Sequence, residues 1–255
     1  MNKTSQGNTT AELLQAHRPD VIKDRLRSHT KQDVLPDAIL GGIDGCVTTF
    51  AVVSGAIGAD FSASVALVLG FANLFADAFS MAISNFEAIN AQQDYKASVR
   101  KREKDHIIKI PGGEREEIRQ IFRNKGFDGD TLDEIVTTIT RNEQLWIDTM
   151  LVEEHGIPRS DSKPVKSAAT TFAAFIVVGI MPLIPFLMSG FDKHSQFILS
   201  GCIAAVMFFS IGTLKSVVYS KPILRSGFST LLTGGTAASL AFVVGYVLRE
   251  IFGIV

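Results

Sequence analysis

Asp44, Asp77 and Met81 lie in stretches otherwise built of apolar residues, and Asn73 precedes Asp77 by one helical turn. A carboxylate is a hard, charged ligand and a thioether a soft, neutral one. Together they favour a transition metal over magnesium or calcium. Keeping an ionised group inside a membrane span costs at least ~2.5 kcal/mol on insertion scales, so a chain retains one where something pairs with it. Bland alternatives stay open: Met81 as gap-filling packing, Asp44 as a helix-terminal group reaching headgroup water, Asp77 as a carboxylate held by nearby hydroxyls and amides. A second set comprises Glu103 with His106, Glu114 with Glu117, and Met150 with Glu153 and Glu154. Each pair is spaced to share one helix face. Glu, His and Met suit divalent first-row metals, although charged faces of soluble helices are more often merely solvated.

The elements that carry these residues follow from where charge is absent. Of 51 charged residues, 11 lie in 1–37, three in 38–86, 30 in 87–166 and seven in 167–255. Segments of about 20 apolar residues can span a bilayer, and five are read here: 38–59, 61–86, 168–191, 195–214 and 226–248. The expected fold is an all-α integral membrane protein with five transmembrane helices and a helical insertion between spans 2 and 3. Its parts are an N-terminal segment (1–37), spans 1 and 2 (38–89), a metal-binding insertion (90–165) and spans 3 to 5 (166–255). Lys and Arg cluster before span 1, after span 2 and between spans 4 and 5, while the other side offers only Lys193 and Arg249. The positive-inside rule then makes the N-terminus and the insertion cytoplasmic, and the C-terminus outside or lumenal. The first 37 residues are polar and show no cleaved signal. Cys46 and Cys202 both fall within spans and read as packing residues. Net charge is −1, basic and acidic residues nearly cancelling, so charge says nothing about partners; no nucleic-acid partner is expected.

Spacing refines the picture. Asp33, Asp37 and Asp44 fall on one helical face if span 1 starts near Pro36, although Asp33 and Asp37 equally suit a helix N-terminus. Gly41 and Gly45 offer a close-packing face, able to bring two copies of Asp44 together across a dimer axis. Asn73, Asp77, Met81 and Ser84 form a stripe along span 2, which continues as helix beyond the membrane. The insertion reads as three helices: one ending near Ile110, one from Glu114 to Lys125 and one from Thr131 to His155. Pro182 and Pro185 predict a kink in span 3.

These residues also carry a resemblance. Asp44-Gly-Cys-Val-Thr-Thr-Phe-Ala-Val-Val-Ser-Gly and Gly70-Phe-Ala-Asn-Leu-Phe-Ala-Asp-Ala-Phe-Ser-Met-Ala resemble the first- and second-span signatures of the vacuolar iron transporter family. The Glu-rich insertion, Trp146-x-x-x-Met150-x-x-Glu153-Glu154 and Met-Pro-Leu-Ile-Pro match in order. The resemblance implies a five-span homodimer that exports ferrous iron from the cytoplasm in exchange for protons. It implies a translocation site at Asp44 and Met81 between subunits, a mouth lined by Asp33 and Asp37, and an insertion that collects metal. The family's glutamates map onto Glu103, Glu114, Glu117 and Glu154, and its methionine onto Met150. His106 stands where a glutamate is expected, Leu151 where members often have another acid, and Asn73 where span 2 can carry an acid.

The function expected is export of a divalent transition metal along Asp33, Asp37, Asp44, Asn73, Asp77 and Met81, with protons replacing metal on the released carboxylates. The metal is cargo, Fe2+ first and Mn2+, Co2+ or Zn2+ as alternatives, with no permanently bound cofactor. The rivals are a membrane-anchored metal sensor or storage adaptor and a passive divalent channel. An enzyme is excluded on motif: there is no nucleophile–base pair, phosphate loop or cofactor fingerprint. A bacterial inner membrane is favoured as host, with a vacuolar membrane as the alternative.

Overall fold

The structure is a computed structural model, and it describes residues 10–28, 34–158, 163–218 and 222–253. Asp33 lies outside the described residues. The described elements are all helical: α1 (Thr10–Ala16), α2 (Pro19–Ser28), α3 (Leu35–Gly58), α4 (Ala63–Lys109), α5 (Pro111–Asn124), α6 (Gly129–Thr140), α7 (Glu143–Glu153), α8 (Pro164–Gly179), a 3-10 turn (Met181–Leu187), α9 (Lys193–Val218) and α10 (Ile223–Phe252). They divide into two compact units, one drawn from 33–88 and 164–255, the other from 1–32 and 89–163. Helix α4 contributes its first half to one and its second half to the other.

In the first unit, α3, α4, α9 and α10 are each long and apolar enough to cross a membrane. The pair α8 and 3-10 turn, bent by 41°, meets the same criterion only when taken together as one broken span, which gives four to five candidate spans. The protein is therefore an all-α integral membrane protein. The bend falls where Pro182 and Pro185 remove backbone donors. Ser200 Oγ donates to the Pro182 carbonyl at 2.6 Å, and Gln196 Nε2 to the Met188 carbonyl at 3.1 Å. Those bonds satisfy carbonyls that an apolar surrounding would otherwise strand.

Helix α3 is the axis of this unit. A Cβ on Gly41 would sit 2.4 Å from the Thr171 carbonyl oxygen, and one on Gly45 2.4 Å from that of Phe175, so α8 lies directly on the glycine face. Farther along, a Cβ on Gly58 would meet the Phe242 oxygen of α10 at 2.2 Å. This corrects the expectation that Gly41 and Gly45 serve a dimer axis, because α8 of the same chain already fills that face. Helix α4 joins differently. It enters through side chains, with Leu74 and Ala78 buried among Val53, Phe175, Leu183 and Phe186, and Leu67, Phe71 and Met81 packed at the edge.

In the second unit, Ile118, Leu132, Val136, Ile139, Trp146 and Met150 form the core, and Val99, Ile147 and Leu151 a smaller cluster. Helix α5 starts at Pro111, three residues before the expected Glu114, because proline suits the first helical turn. The expected helix from Thr131 to His155 is two helices. Asn142 breaks it, since its Oδ1 accepts from the Leu145 amide at 3.0 Å and caps a new helix.

Candidate functional site

Two groups of polar side chains stand out, one in each unit. In the membrane unit, α3 supplies Asp37 and Asp44, and α4 supplies a stripe at steps of four: Asn73, Asp77, Met81 and Asn85. Asn73 Nδ2 donates to Asp77 Oδ2 at 2.7 Å. Asn85 Nδ2 donates to Asp37 Oδ1 at 3.0 Å and to Thr171 Oγ1 at 2.9 Å, tying α4 to both α3 and α8. Thr171 in turn donates to the Ser167 carbonyl at 3.1 Å. The stripe therefore ends on Asn85 and not on Ser84, which is exposed.

Asp44 differs from its neighbours. Its backbone carbonyl accepts from Thr48 at 2.9 Å, but among the described residues its carboxylate has no hydrogen-bond donor. Asp77 is close enough for the two charges to interact. Asp37 and Asp77 each have an asparagine amide to hold them, and Asp44 does not. It is half-buried and, among the described residues, without a side-chain donor. Met81 follows Asp77 by one turn and rests against the apolar cluster.

In the second unit, α4 presents Glu103 and His106, α5 presents Glu114 and Glu117, and the end of α7 brings Glu154 and His155. Glu103, His106 and Glu114 each place a ligand atom within 4.8 Å of the others, and Glu103, Glu154 and His155 do the same. Bonds of about 2.1 Å to a divalent metal hold its donors about 3 to 4 Å apart, inside that limit. Glu103 is common to both groups. His155 Nε2 lies 2.9 Å from Glu103 Oε1 and 3.5 Å from Glu154 Oε2. His106 Nδ1 lies 3.2 Å from Glu114 Oε1.

Burial makes this cluster unusual for a charged helix face. Glu103 is 2% exposed and Glu114 1%. Glu114 Oε2 is buried with no hydrogen-bond partner among the described residues. Burial, then the charges of Glu117 and Glu103, push the Glu114 carboxyl up to about 7, with His106 pulling the other way. Burial and the carboxylates of Glu154 and Glu103 raise Glu117 as well. Carboxylates crowded with too little positive charge favour whatever cation can enter.

The remaining expected ligands are placed differently. Glu153 faces Lys125, with which it forms an ion pair, and joins neither group. One residue of helix is a 100° step, which separates Glu153 from Glu154. Met150 is fully buried in the core beside Trp146 and Ile118. Leu151 packs with Val99 and Ile147, so an acid at that position would fall in apolar core. His155 was not anticipated from sequence. It follows the last turn of α7, and Gly156, at φ +65°, ends the helix there.

A family model described as the VIT family matches residues 35–246. The chain belongs to that family. It is similar to a vacuolar iron transporter of Toxoplasma gondii, 28% identical over 93% of this chain and 84% of the relative. It is similar to vacuolar iron transporter 1 of Arabidopsis thaliana, 29% identical over 87% and 88%. It is also similar to a vacuolar iron transporter of Plasmodium falciparum, 30% identical over 86% and 84%. As a VIT-family member the chain is a membrane transporter and not an enzyme. The matched range takes in Asp37 and Asp44, the α4 stripe and every residue of the insertion cluster.

Proposed function

We propose that this VIT-family protein exports a divalent transition metal from the cytoplasm in exchange for protons, with ferrous iron as the first cargo and manganese, cobalt or zinc as alternatives. The observation that carries metal handling is the cluster around Glu103, where two ligand groups share one buried carboxylate and Glu114 keeps an unpartnered oxygen. A merely solvated face would have exposed, separated carboxylates. Iron is supported by the relatives, which are named vacuolar iron transporters. The metal is cargo throughout, with no resident cofactor.

In this reading the insertion collects metal, Asp33 and Asp37 lead it inward, and Asp44 and Met81 from two copies of the chain hold it in transit. Asp44, whose carboxylate has no hydrogen-bond donor among the described residues, is the group that exchanges metal for proton, while Asp77 is held by Asn73. Competition between a +2 ion and protons for one carboxylate gives exchange its electrostatic basis. The distribution of Lys and Arg supports a cytoplasmic N-terminus and insertion.

The test is metal flux into vesicles holding the full chain under an imposed pH gradient. Flux should follow the gradient and vanish in Asp44→Ala. Flux indifferent to the gradient would make the protein a passive channel, and undiminished flux in the variant would remove Asp44 from the path. Competition between metals in the same assay reads selectivity.

A further inference from the structure

Lys215 and Arg225 line a pocket of about 430 Å³ together with Pro222, Ser226, Ser229 and Thr230. The pocket lies between the end of α9 and the start of α10, far in sequence from every residue assigned to metal. A close backbone approach builds it: a Cβ on Gly212 would meet the Ser226 carbonyl oxygen at 2.7 Å and Gly227 Cα at 2.8 Å. Lys215 is one turn beyond Gly212, and Arg225 lies two residues before Gly227, so this contact fixes the two cations on one pocket. Among the described residues neither cation has an acid partner, and the sequence from Lys193 to Arg249 holds no Asp or Glu. The first turn of α10 adds backbone donors, since Pro222 at its N-cap brings no side-chain cap.

The same helix continues into an apolar groove. Phe228, Leu231, Leu232, Gly235, Leu240 and Val243 line it, with Thr236 and Ser239 between them. The two hydroxyls donate within the helix, Thr236 to the Leu232 carbonyl at 2.8 Å and Ser239 to that of Gly235 at 2.8 Å. Polarity is thereby removed from the groove. A Cβ on Gly235 would meet nothing within 4 Å, so this part of the groove is open.

We propose that α9 and α10 bind an anionic phospholipid, its phosphate in the Lys215–Arg225 pocket and one acyl chain along Phe228, Leu232, Gly235 and Leu240. The order of chemistry along α10 chooses this occupant. Two cations without an acid partner among the described residues, with the Ser226 and Ser229 hydroxyls and amide donors beside them, stand where an apolar span begins, and an apolar groove lies farther along the same helix. A soluble anion would use only the first part, and a second copy meeting this one through the same α9–α10 surface would bring no carboxylate to the cations. Basic residues at a membrane surface attract anionic headgroups in this way.

The full chain in detergent, titrated with phosphatidylglycerol and with phosphatidylcholine of identical acyl chains, tests this by native mass spectrometry. Phosphatidylglycerol should be retained in preference. The double variant K215Q/R225Q should weaken that retention by about 30-fold, the scale of two basic residues near a headgroup. K215R/R225K should retain it, and Gly235→Leu should lower retention by filling the groove while leaving the cations in place. Equal retention of both lipids, or unchanged retention in K215Q/R225Q, overturns the proposal. Binding of inorganic phosphate with no lipid preference also overturns it, in favour of a soluble anion. A change in oligomeric mass with lipid retention intact assigns the groove to a second copy and overturns it too.

Discussion

Replacing Glu114 with glutamine should stabilise the metal-free protein and blunt its response to metal, two effects of opposite sign from one substitution. Glu114 is buried, its Oε2 has no partner, and its carboxyl is raised from 4.5 to about 7 by burial and then by Glu117 and Glu103. A carboxyl with a higher pKa in the folded state holds its proton more tightly there. Its stabilising share is full in acid and is lost as pH rises from 4.5 through about 7. One pH unit in that window is worth ~1.4 kcal/mol per proton. Ionised Glu114 therefore costs the metal-free unit on the order of 3 kcal/mol above neutral pH.

Glutamine keeps the size and the acceptor towards His106, never ionises, and offers an amide donor near the carboxylates of Glu103 and Glu117. The expected gain is about 1–3 kcal/mol at mildly alkaline pH, disappearing as pH approaches 4.5. Trp146 is the only tryptophan and is 4% exposed in the core of the second unit, so its emission reports unfolding there. Urea melts of the full chain in detergent, at acid and mildly alkaline pH, with and without redox-inert Zn2+, give the four midpoints needed. Zinc should raise the wild-type midpoint far more than that of Glu114→Gln. A lower metal-free midpoint for the variant at alkaline pH, or equal stabilisation by zinc, would refute the reasoning and leave Glu114 a structural residue.

Four further substitutions bear on the two units. His155→Ala should weaken calorimetric metal binding by about tenfold or more, because it removes a nitrogen from one ligand group and the partner that orients Glu103. Asn85→Leu should cost ~0.6–1.7 kcal/mol for each interhelical hydrogen bond lost to Asp37 and Thr171, read by detergent unfolding. Gly45→Ala should destabilise the membrane unit by about 1–3 kcal/mol or more, since its Cβ would sit 2.4 Å from a backbone oxygen. Gly70→Ala should cost less in the same assay, because the atom it meets at 2.5 Å is the end of the Leu183 side chain.

The sequence made the spans legible because apolar length is a one-dimensional property, and the kink at Pro182 and Pro185 because missing donors are local. The residues that position charge were harder. Asn85 is an ordinary polar residue until α3 and α8 are packed on α4; only its place four residues beyond Met81 hinted at it. His155 reads as a helix end, and becomes a partner of Glu103 only when α7 folds against α4. The break at Asn142 was hidden by an apolar repeat that continues through it, although asparagine three residues before Leu145 is a cap signal. Glu153 illustrates the reverse error: spacing from Met150 put it on the right helix, and one step of rotation gave it to Lys125.

The bundle treats its carboxylates unequally. Helix α3 is fixed by backbone contact, with glycines pressed on α8 at one end and on α10 at the other. Helix α4 is held by long side chains and by asparagine amides, contacts that can yield. Asp44 stands on the fixed helix and lacks a donor among the described residues; Asp77 stands on the adaptable one and has Asn73. Under the proposed transport function, an ion held at Asp44 would meet a ligand on the backbone-packed helix, while Asp77 stands on the one held by side chains. Rigid support for the binding carboxylate and tolerance in its neighbour is the combination a site needs if it must both take up a divalent ion and release it.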